Sequence, residues 1–244
     1  MVRPQGYEER TRRQREYFEK TTKQTMIPRD TPYVAQHVEQ LIAFAGLVPE
    51  SKILEVGCGM GRYTFPLVRR GLNVEGLDLS LKLLDRLRSY ADEQFDIPLH
   101  CADILDPPEE LIEAFDAVIG FFTLHHLQDI PGCIAAQVPL LRPGGVMVYL
   151  EPNAFNPLYY LQIALMPNIS WEGDKGLTRM RPGLIGKAMR AAGLGDFTVK
   201  RFGFFPPFVR NRLESNRWER FAERVPGLYP LLPFQMFRAV KPGE

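Results

Sequence analysis

The chain of 244 residues contains only three cysteines, Cys58, Cys101 and Cys133, and none of them belongs to a CxxC pair. Disulfide-stabilised secreted domains and structural zinc sites need more cysteines at closer spacing, so the sequence predicts neither. A chain of this length can bury a core large enough to be stable without crosslinks. We therefore expect a cytoplasmic protein that holds no metal.

Long apolar segments are also lacking. Residues 1–20 contain no apolar core of the kind that a secretory signal needs. The uncharged stretch at residues 152–171 contains three prolines and three asparagines, a composition that excludes a membrane-spanning helix. We expect no transmembrane span, and peripheral contact with a lipid surface stays an open alternative.

The chain as a whole has no excess of one charge, because its formal net charge is +1. Counted by segment, the net charge is +3 over residues 1–30, −11 over 31–174 and +9 over 175–244. A nucleic-acid-binding protein needs a broad basic footprint, so we expect a small-molecule partner and no nucleic acid. The basic C-terminal segment fits an anionic ligand or a solvated helix face. We favour the solvated face, which carries Arg210, Arg212, Arg217, Arg220 and Arg224.

Short apolar runs alternate with amphipathic stretches from residue 50 onward, a pattern typical of βαβ units around a parallel sheet. The predicted strands are Lys52–Val56, Leu72–Leu77, Pro98–Ala102, Phe115–Phe121, Val146–Leu150, Phe197–Gly203 and Phe234–Val240. The predicted helices are Thr31–Leu47, Arg62–Arg70, Leu81–Ala91, Cys133–Leu141, Pro182–Ala192 and Arg210–Arg224. The pattern predicts one α/β domain.

A glycine-rich turn follows the first predicted strand, in the sequence ILEVGCGMGR. Gly57, Gly59 and Gly61 let the backbone turn sharply and let a ligand approach the main chain. A dinucleotide fingerprint would have a further glycine where Arg62 stands, and the GK[ST] of a triphosphate-binding loop is absent. Asp78 ends the next strand, where a carboxylate can accept hydrogen bonds from both hydroxyls of a ribose. The two features indicate a ligand with a ribose but no diphosphate.

Five segments in this order and spacing resemble the class I, seven-stranded S-adenosylmethionine-dependent methyltransferases of the bacterial small-molecule type. They are ILEVGCGMGRYT, GLDLS, CADILD, FDAVIGFFTLHHLQD and LLRPGGVMVYLEPN, and the resemblance is close over residues 53–150. It implies a doubly wound, mostly parallel seven-stranded sheet with N-terminal helices and C-terminal lid insertions. The implied single domain, 1–244, comprises a helical cap (1–48), a cofactor-binding core (49–151) and acceptor-side insertions (152–180 and 204–230).

The resemblance also implies the cofactor, S-adenosyl-L-methionine, and the product, S-adenosyl-L-homocysteine. Glu55 would hold the ammonium of the methionine moiety, or satisfy nearby backbone amides instead. Asp103 would accept a hydrogen bond from the adenine amino group, with the backbone of Ile104 near the adenine ring. Alternatively, Asp103 caps a helix. Cys58 is interpreted as a small packing residue and not as a nucleophile. The full set of implied cofactor-binding residues is Glu55, Gly57, Cys58, Gly59, Gly61, Arg62, Asp78, Leu79, Asp103, Ile104, Gly120 and Phe121.

Methyl transfer from a sulfonium is an in-line displacement, and its main requirement is the placement of the acceptor. A general base is needed when the nucleophile must lose a proton. The candidates are His125 and His126 after the fourth strand and Glu151 at the end of the fifth. A histidine here can also merely pack, and Glu151 can orient a histidine, bind a substrate hydroxyl or cap the turn.

Aromatic residues of the N-terminal helices and of the insertions are expected to line the acceptor pocket. The candidates are Tyr17, Phe18, Tyr33, Phe155, Tyr159, Tyr160 and Trp171. We expect an enzyme that methylates a small molecule, with oxygen preferred as the acceptor atom. The open alternatives are an N- or C-methyltransferase of a small or lipid-linked acceptor, and a catalytically silent binding subunit.

Overall fold

The computed structural model describes residues 6–20, 26–91, 95–157, 175–215 and 217–243, which form a seven-stranded sheet flanked by helices. The strands are β1 (Lys52–Val56), β2 (Asn73–Asp78), β3 (Leu99–Cys101), β4 (Phe115–Phe121), β5 (Leu141–Pro152), β6 (Gly195–Phe202) and β7 (Phe234–Val240). The α-helices are α1 (Tyr7–Lys20), α2 (Pro32–Ala45), α3 (Thr64–Val68), α4 (Leu81–Ala91), α5 (Ile130–Gln137), α6 (Pro182–Ala191), α7 (Pro207–Arg210) and α8 (Arg217–Ala222).

The strand order is β3-β2-β1-β4-β5-β7-β6. Strands β1 to β5 pair in parallel, whereas β7 runs antiparallel to both of its neighbours. The chain builds outward from β1 to β3 and then crosses back to β4, so the winding reverses between β1 and β4. Open α/β sheets bind ligands at such a switch point, outside the carboxyl ends of the strands. The predicted doubly wound, mostly parallel sheet is confirmed.

Helix α2 illustrates how local sequence sets the element boundaries. Thr31 is the N-cap, and its hydroxyl accepts a hydrogen bond from the Val34 amide. Pro32 occupies the first turn, where no amide hydrogen is needed. The helix ends at Gly46, which has φ +74°, a left-handed conformation that glycine adopts without a Cβ penalty.

Apolar clusters cover the two faces of the sheet and fix the helices that surround the site. On one face, Val38 and Leu41 of α2 pack with Ile119 of β4. On the other face, α5 and α6 pack on Met147 and Phe237 of the sheet. These clusters cover the middle of the sheet, and the candidate site lies at the carboxyl ends of the strands.

The predicted helix over Arg210–Arg224 is wrong, because the chain forms the short helices α7 and α8 with a non-helical segment over residues 211–215. Arg210 does not lie on a solvated face either. Its buried guanidinium is 3.1 Å from the Glu219 carboxylate and donates to the Gln36 side chain on α2. Asn211 accepts from the Tyr33 amide. These contacts turn the chain inward and anchor the C-terminal insertion to α2.

Strand β5 is the other element that differs clearly from prediction, since it covers Leu141–Pro152 instead of Val146–Leu150. The remaining strands match their predicted positions within a few residues. The extension matters for the site, because it brings Glu151 into the sheet as a fully buried strand residue.

Candidate functional site

The glycine-rich turn after β1 combines one crowded and one open glycine. Gly57, Gly59 and Gly61 have φ of +71°, +55° and +88°. A Cβ at Gly57 would clash with the Thr123 side chain, whereas the one described atom within 4 Å of a Cβ at Gly59 is the Met26 methyl group, at 4.0 Å. Gly57 therefore allows the turn to pack against the end of β4. Gly59 leaves main chain that a ligand can approach.

Asp78, the last residue of β2, faces this turn. Its carboxylate accepts from the Gly59 amide at 2.9 Å and from the Ser80 amide at 2.9 Å, one on each oxygen. Each carboxylate oxygen has a second lone pair, so the group can still accept two further hydrogen bonds. The predicted ribose ligand fits this geometry, because the amides hold the carboxylate in place and leave lone pairs for the ribose hydroxyls.

A cavity of about 350 Å³ lies at the ends of β2 and β3, a volume suited to part of a small-molecule ligand. Its lining residues are Arg15, Glu19, Leu79, Leu81, Cys101, Ala102 and Asp103. The predicted residues Leu79 and Asp103 are thus brought together, while Ile104 is buried in the core. The Asp103 carboxylate accepts from the Leu105 amide at 3.0 Å and from the Tyr7 hydroxyl at 2.8 Å.

Helix α1 forms the cover of this cavity. In addition to the bond between Tyr7 and Asp103, the Glu19 carboxylate accepts from the Ser80 hydroxyl at 3.0 Å. The Lys82 ammonium donates to the Glu19 carbonyl oxygen at 2.7 Å. The predicted N-terminal cap therefore contacts the ends of β2 and β3. These ends carry Asp78 and Asp103, the residues predicted to bind the ribose and the adenine.

Glu55 near the end of β1 is buried, and its carboxyl group accepts from the Thr64 hydroxyl at 2.6 Å. Burial raises the pKa of Glu55 to about 8, an effect that the Thr64 hydrogen bond only partly offsets. A neutral carboxyl in the ligand-free protein has lone pairs but no charge. An ammonium group placed beside it would favour the ionised form.

We predict that binding of S-adenosylhomocysteine tightens as the pH rises from about 6 to about 8, because Glu55 must lose its proton to pair with the ammonium. The expected slope is at most about tenfold in Kd per pH unit. Isothermal titration at several pH values measures it. Glu55→Gln should bind more weakly at pH 8 and show no such slope. A flat profile for the unaltered protein would contradict the assignment.

Four other residues predicted to bind the cofactor make packing contacts within the protein. Cys58 is buried over Gly76 of β2, and burial raises the pKa of its thiol well above the ordinary value, in agreement with a packing role. A Cβ at Gly120 would clash with the Tyr149 ring. Phe121 stacks on Tyr63 with 4.2 Å between ring centroids. The guanidinium of Arg62 lies 5.9 Å from the Tyr63 ring centroid.

Glu151 and His125 form a buried pair at the ends of β5 and β4. One Glu151 oxygen accepts from the amides of Thr123 and Leu124, at 2.9 and 2.7 Å, and the other lies 2.6 Å from Nδ1 of His125. Glu151 is fully buried and His125 is 4% exposed. Burial raises the pKa of Glu151 above its ordinary value, and the two amides counteract this. The Glu151 carboxyl group thus contacts both the His125 ring and the turn after β4, and its substrate-side role stays a prediction.

His125 is also fixed from its backbone side. Its carbonyl oxygen accepts from the Arg179 guanidinium at 3.2 Å, and a Cβ at Gly176 would collide with it. The ring of His126 lies 3.9 Å from that of His125, and His126 is the more exposed of the two. The arrangement holds the His125 imidazole in one orientation beside Thr123, which itself contacts the glycine-rich turn.

The predicted acceptor-side residues are distributed unevenly. Tyr17 on α1 and Phe155 after β5 are exposed, at 38% and 50%. Tyr33 on α2 packs instead into a group of rings around His37. Three predicted residues, Tyr159, Tyr160 and Trp171, lie outside the described residues, and so does the side chain of Phe18.

His37 is the residue that sequence reasoning missed. It is fully buried on α2, and its Nδ1 lies 3.1 Å from the Tyr63 hydroxyl. No motif contains it, because a single histidine within an apolar helix pattern resembles an ordinary core residue. The nearest residue that the sequence did point to is Tyr33, one turn earlier on the same helix, which was predicted to line the acceptor pocket.

The fold and these residues define a class of protein, an α/β protein with a carboxylate fixed beside a glycine-rich turn, no diphosphate-binding fingerprint and an oriented histidine at the carboxyl ends of the strands. The residues present fit S-adenosylmethionine. Open main chain at Gly59, the fixed Asp78 carboxylate and the cavity beside Asp103 are what such a ligand requires.

Comparisons with known proteins agree with this class. A family model described as a methyltransferase domain matches residues 53–145. The ubiquinone biosynthesis O-methyltransferase of Chromobacterium violaceum is 31% identical over 160 residues, which cover 64% of this chain and 69% of that protein. The corresponding enzyme of Dechloromonas aromatica is 32% identical over 125 residues, and the match spans about half of each chain, 51% and 52%.

Solved structures share the fold at lower identity. A possible histamine N-methyltransferase from Thermotoga maritima superposes with a TM-score of 0.60 at 18% identity, over 86% of this chain and 91% of that one. Phosphoethanolamine N-methyltransferase 2 of Haemonchus contortus, solved with S-adenosyl-L-methionine, gives 0.59 at 17% identity, over 85% and 52%. The chain belongs to the class I S-adenosylmethionine-dependent methyltransferases, as the sequence motifs predicted.

No helix within the described part of the chain is both long enough and apolar enough to cross a membrane.

Proposed function

We propose that this methyltransferase transfers the methyl group of S-adenosylmethionine to a hydroxyl oxygen of a small-molecule acceptor. The observation that carries the proposal is the buried pair of Glu151 and His125 at the ends of β5 and β4. A hydroxyl must lose its proton as the new C–O bond forms, and an oriented imidazole can accept it. The names of the relatives in Chromobacterium and Dechloromonas, both O-methyltransferases, support the same acceptor atom.

In this proposal the first three strand ends hold the donor. Asp78 accepts hydrogen bonds from the ribose hydroxyls, and Asp103 accepts one from the adenine amino group. Glu55 pairs with the ammonium. The turn from Gly57 to Gly61 lies under the ligand. The donor supplies an electrophilic methyl group on a positively charged sulfur, so the protein itself need not activate the carbon that is attacked.

The acceptor then lies over the ends of β4 and β5. Nδ1–H of His125 donates a hydrogen bond to the Glu151 carboxylate, and this fixes the tautomer in which Nε2 can accept a proton. The contacts of Thr123 with the turn at Gly57 and with Glu151 connect the two halves of the site. Orientation of the acceptor oxygen toward the methyl carbon accounts for the remaining rate enhancement.

The acceptor atom can be tested with pairs of probes that differ only in the nucleophile. We expect label from methyl-labelled S-adenosylmethionine to reach phenol or benzyl alcohol in preference to aniline or benzylamine, with products identified by mass spectrometry. Methylation of the amines alone would make the protein an N-methyltransferase. Tight binding of S-adenosylhomocysteine with no turnover of any acceptor would make it a silent binding subunit.

We also place the reaction in the cytoplasm. Cys58, Cys101 and Cys133 are free thiols in the structure, which supports a reducing compartment.

A further inference from the structure

His37 lies in a group of five aromatic rings that we term the His37 ring cluster. The distances between ring centroids and the imidazole are 4.3 Å for Tyr33, 4.6 Å for Phe234, 5.4 Å for Phe122, 5.7 Å for Phe202 and 6.0 Å for Tyr63. The imidazole itself is fully buried. Tyr33, Phe122 and Phe234 are only partly buried, so the cluster extends from the core toward the protein surface.

One nitrogen of this imidazole is unpaired. Nδ1 lies 3.1 Å from the Tyr63 hydroxyl, whereas Nε2 has no hydrogen-bond partner within the described parts of the chain. Buried polar atoms are nearly always paired, because burying one without a partner costs about 1–3 kcal/mol. An unpaired buried atom of this kind is a group with which a ligand can complete a hydrogen bond.

The hydrogen bond between Tyr63 and Nδ1 defines which nitrogen of His37 carries the proton. A phenol hydroxyl is a strong hydrogen-bond donor and the bare nitrogen of a neutral imidazole is a strong acceptor. Tyr63 therefore donates its hydroxyl hydrogen to Nδ1, which leaves the imidazole proton on Nε2. Burial and the nearby charge of Arg62 lower the pKa of His37 to about 3, so the ring is neutral. Nε2–H is a neutral hydrogen-bond donor.

The cluster adjoins the methyl-transfer site through Phe122. This residue follows β4 with φ +54°, a conformation that an aromatic side chain rarely adopts, and its amide donates to the Leu150 carbonyl at 2.8 Å. The next residue, Thr123, contacts the glycine-rich turn and donates its amide to Glu151. The His37 ring cluster and the pair of Glu151 and His125 thus flank the same short segment after β4.

We propose that His37 binds the methyl acceptor, with Nε2–H donating a hydrogen bond to an oxygen of the acceptor inside the His37 ring cluster. The rings of Tyr33, Phe122 and Phe234 supply flat apolar surfaces on which a planar acceptor can pack. The proposal rests on the proposed function, because it takes an oxygen-bearing acceptor as given. It adds the residue that holds this acceptor and the surface on which the acceptor lies.

The direct test is an NMR titration of protein labelled with ¹⁵N in its histidine rings, of which the chain has four. Phenol is the probe and toluene, which lacks the oxygen, is the control, both in the presence of saturating S-adenosylhomocysteine. We expect His37 to show a protonated Nε2 whose resonances shift with phenol and not with toluene. A His37 signal that phenol leaves unchanged, up to concentrations that do not lower Tm, would overturn the proposal.

Variants of His37 provide the second test. His37→Leu should weaken phenol binding by about fivefold to tenfold, as expected for the loss of one hydrogen bond. His37→Gln retains an N–H donor at the corresponding position and should stay within about twofold of the unaltered protein. Val38→Ala, at the next buried position of α2, is the matched control and should leave phenol binding unchanged. Equal phenol affinity of His37→Leu and the unaltered protein would exclude the role.

These measurements separate the two proposals. The proposed function fails if donor is bound but no hydroxyl acceptor is methylated, whatever His37 does. The role of His37 fails if phenol is bound or methylated equally well by His37→Leu. Binding of S-adenosylhomocysteine, measured for each variant, should stay within about twofold and shows that the cofactor half of the site is intact.

Discussion

His125→Ala is expected to lower kcat by about 10²- to 10⁴-fold, the contribution of a positioned general base. The physical reason is that the acceptor hydroxyl must lose its proton as the C–O bond forms, and Glu151 holds His125 in the orientation to receive it. The affinity for S-adenosylhomocysteine should change only a few-fold, because the donor contacts that we propose lie on the ends of β1, β2 and β3. Single-turnover kinetics with a methylated hydroxyl acceptor measure the loss.

Two variants separate a catalytic role from a structural one. Glu151→Gln keeps one oxygen for the amides of Thr123 and Leu124 but no longer offers a carboxylate to His125, so kcat should fall by a smaller factor. His100→Ala, at a histidine paired with Glu75 on β2, should leave kcat unchanged. If His125→Ala folds, binds donor and retains full turnover, the histidine is structural and catalysis rests on orientation alone.

Asp78→Ala is expected to weaken binding of S-adenosylmethionine and S-adenosylhomocysteine by at least about tenfold. The substitution removes two charge-assisted hydrogen bonds to the ribose, each worth roughly 1.5–3 kcal/mol. It also removes the acceptor of the Gly59 and Ser80 amides, so the turn becomes less well fixed. Isothermal titration gives the dissociation constants directly.

The control for this prediction is a carboxylate on the neighbouring helix. Asp85 on α4 pairs with Arg88 and is exposed, so Asp85→Ala should leave donor binding and Tm nearly unchanged. Asp78→Asn retains one oxygen, so its affinity for the donor should lie between that of the alanine variant and that of the unaltered protein. Donor affinity of Asp78→Ala equal to that of the unaltered protein would refute the assignment of Asp78 to the ribose.

Helix α1 connects these predictions to the N-terminal part of the chain. Tyr7 donates to Asp103, and the pKa of the Tyr7 hydroxyl is raised by burial and by this carboxylate, so the hydroxyl stays a proton donor at any physiological pH. The same Asp103 oxygen therefore accepts hydrogen bonds from the Tyr7 hydroxyl on α1 and from the Leu105 amide. Helix α1, which belongs to the predicted helical cap of residues 1–48, thus contacts the carboxylate that we propose binds the adenine.

The sequence alone determined those features that depend on residues close together in the chain. The alternation of strands and helices predicted the parallel sheet, and the glycine-rich turn with Asp78 predicted a ribose ligand without diphosphate. Both follow from local causes, since the backbone conformation of Gly57 to Gly61 and the end of β2 are set within a few residues. The family motifs lie in the same segment, so the family was evident at this level as well.

Only the tertiary structure decided how residues distant in sequence pair. His125 and Glu151 were both candidates, but the bond between them exists because β4 and β5 are neighbours with matched ends, 26 residues apart. The surroundings of the buried His37 ring likewise depend on Phe122 and Phe234, whose rings reach it from the ends of β4 and β7. Burial and hydrogen-bond completeness are properties of the packed molecule, and no spacing along the chain encodes them.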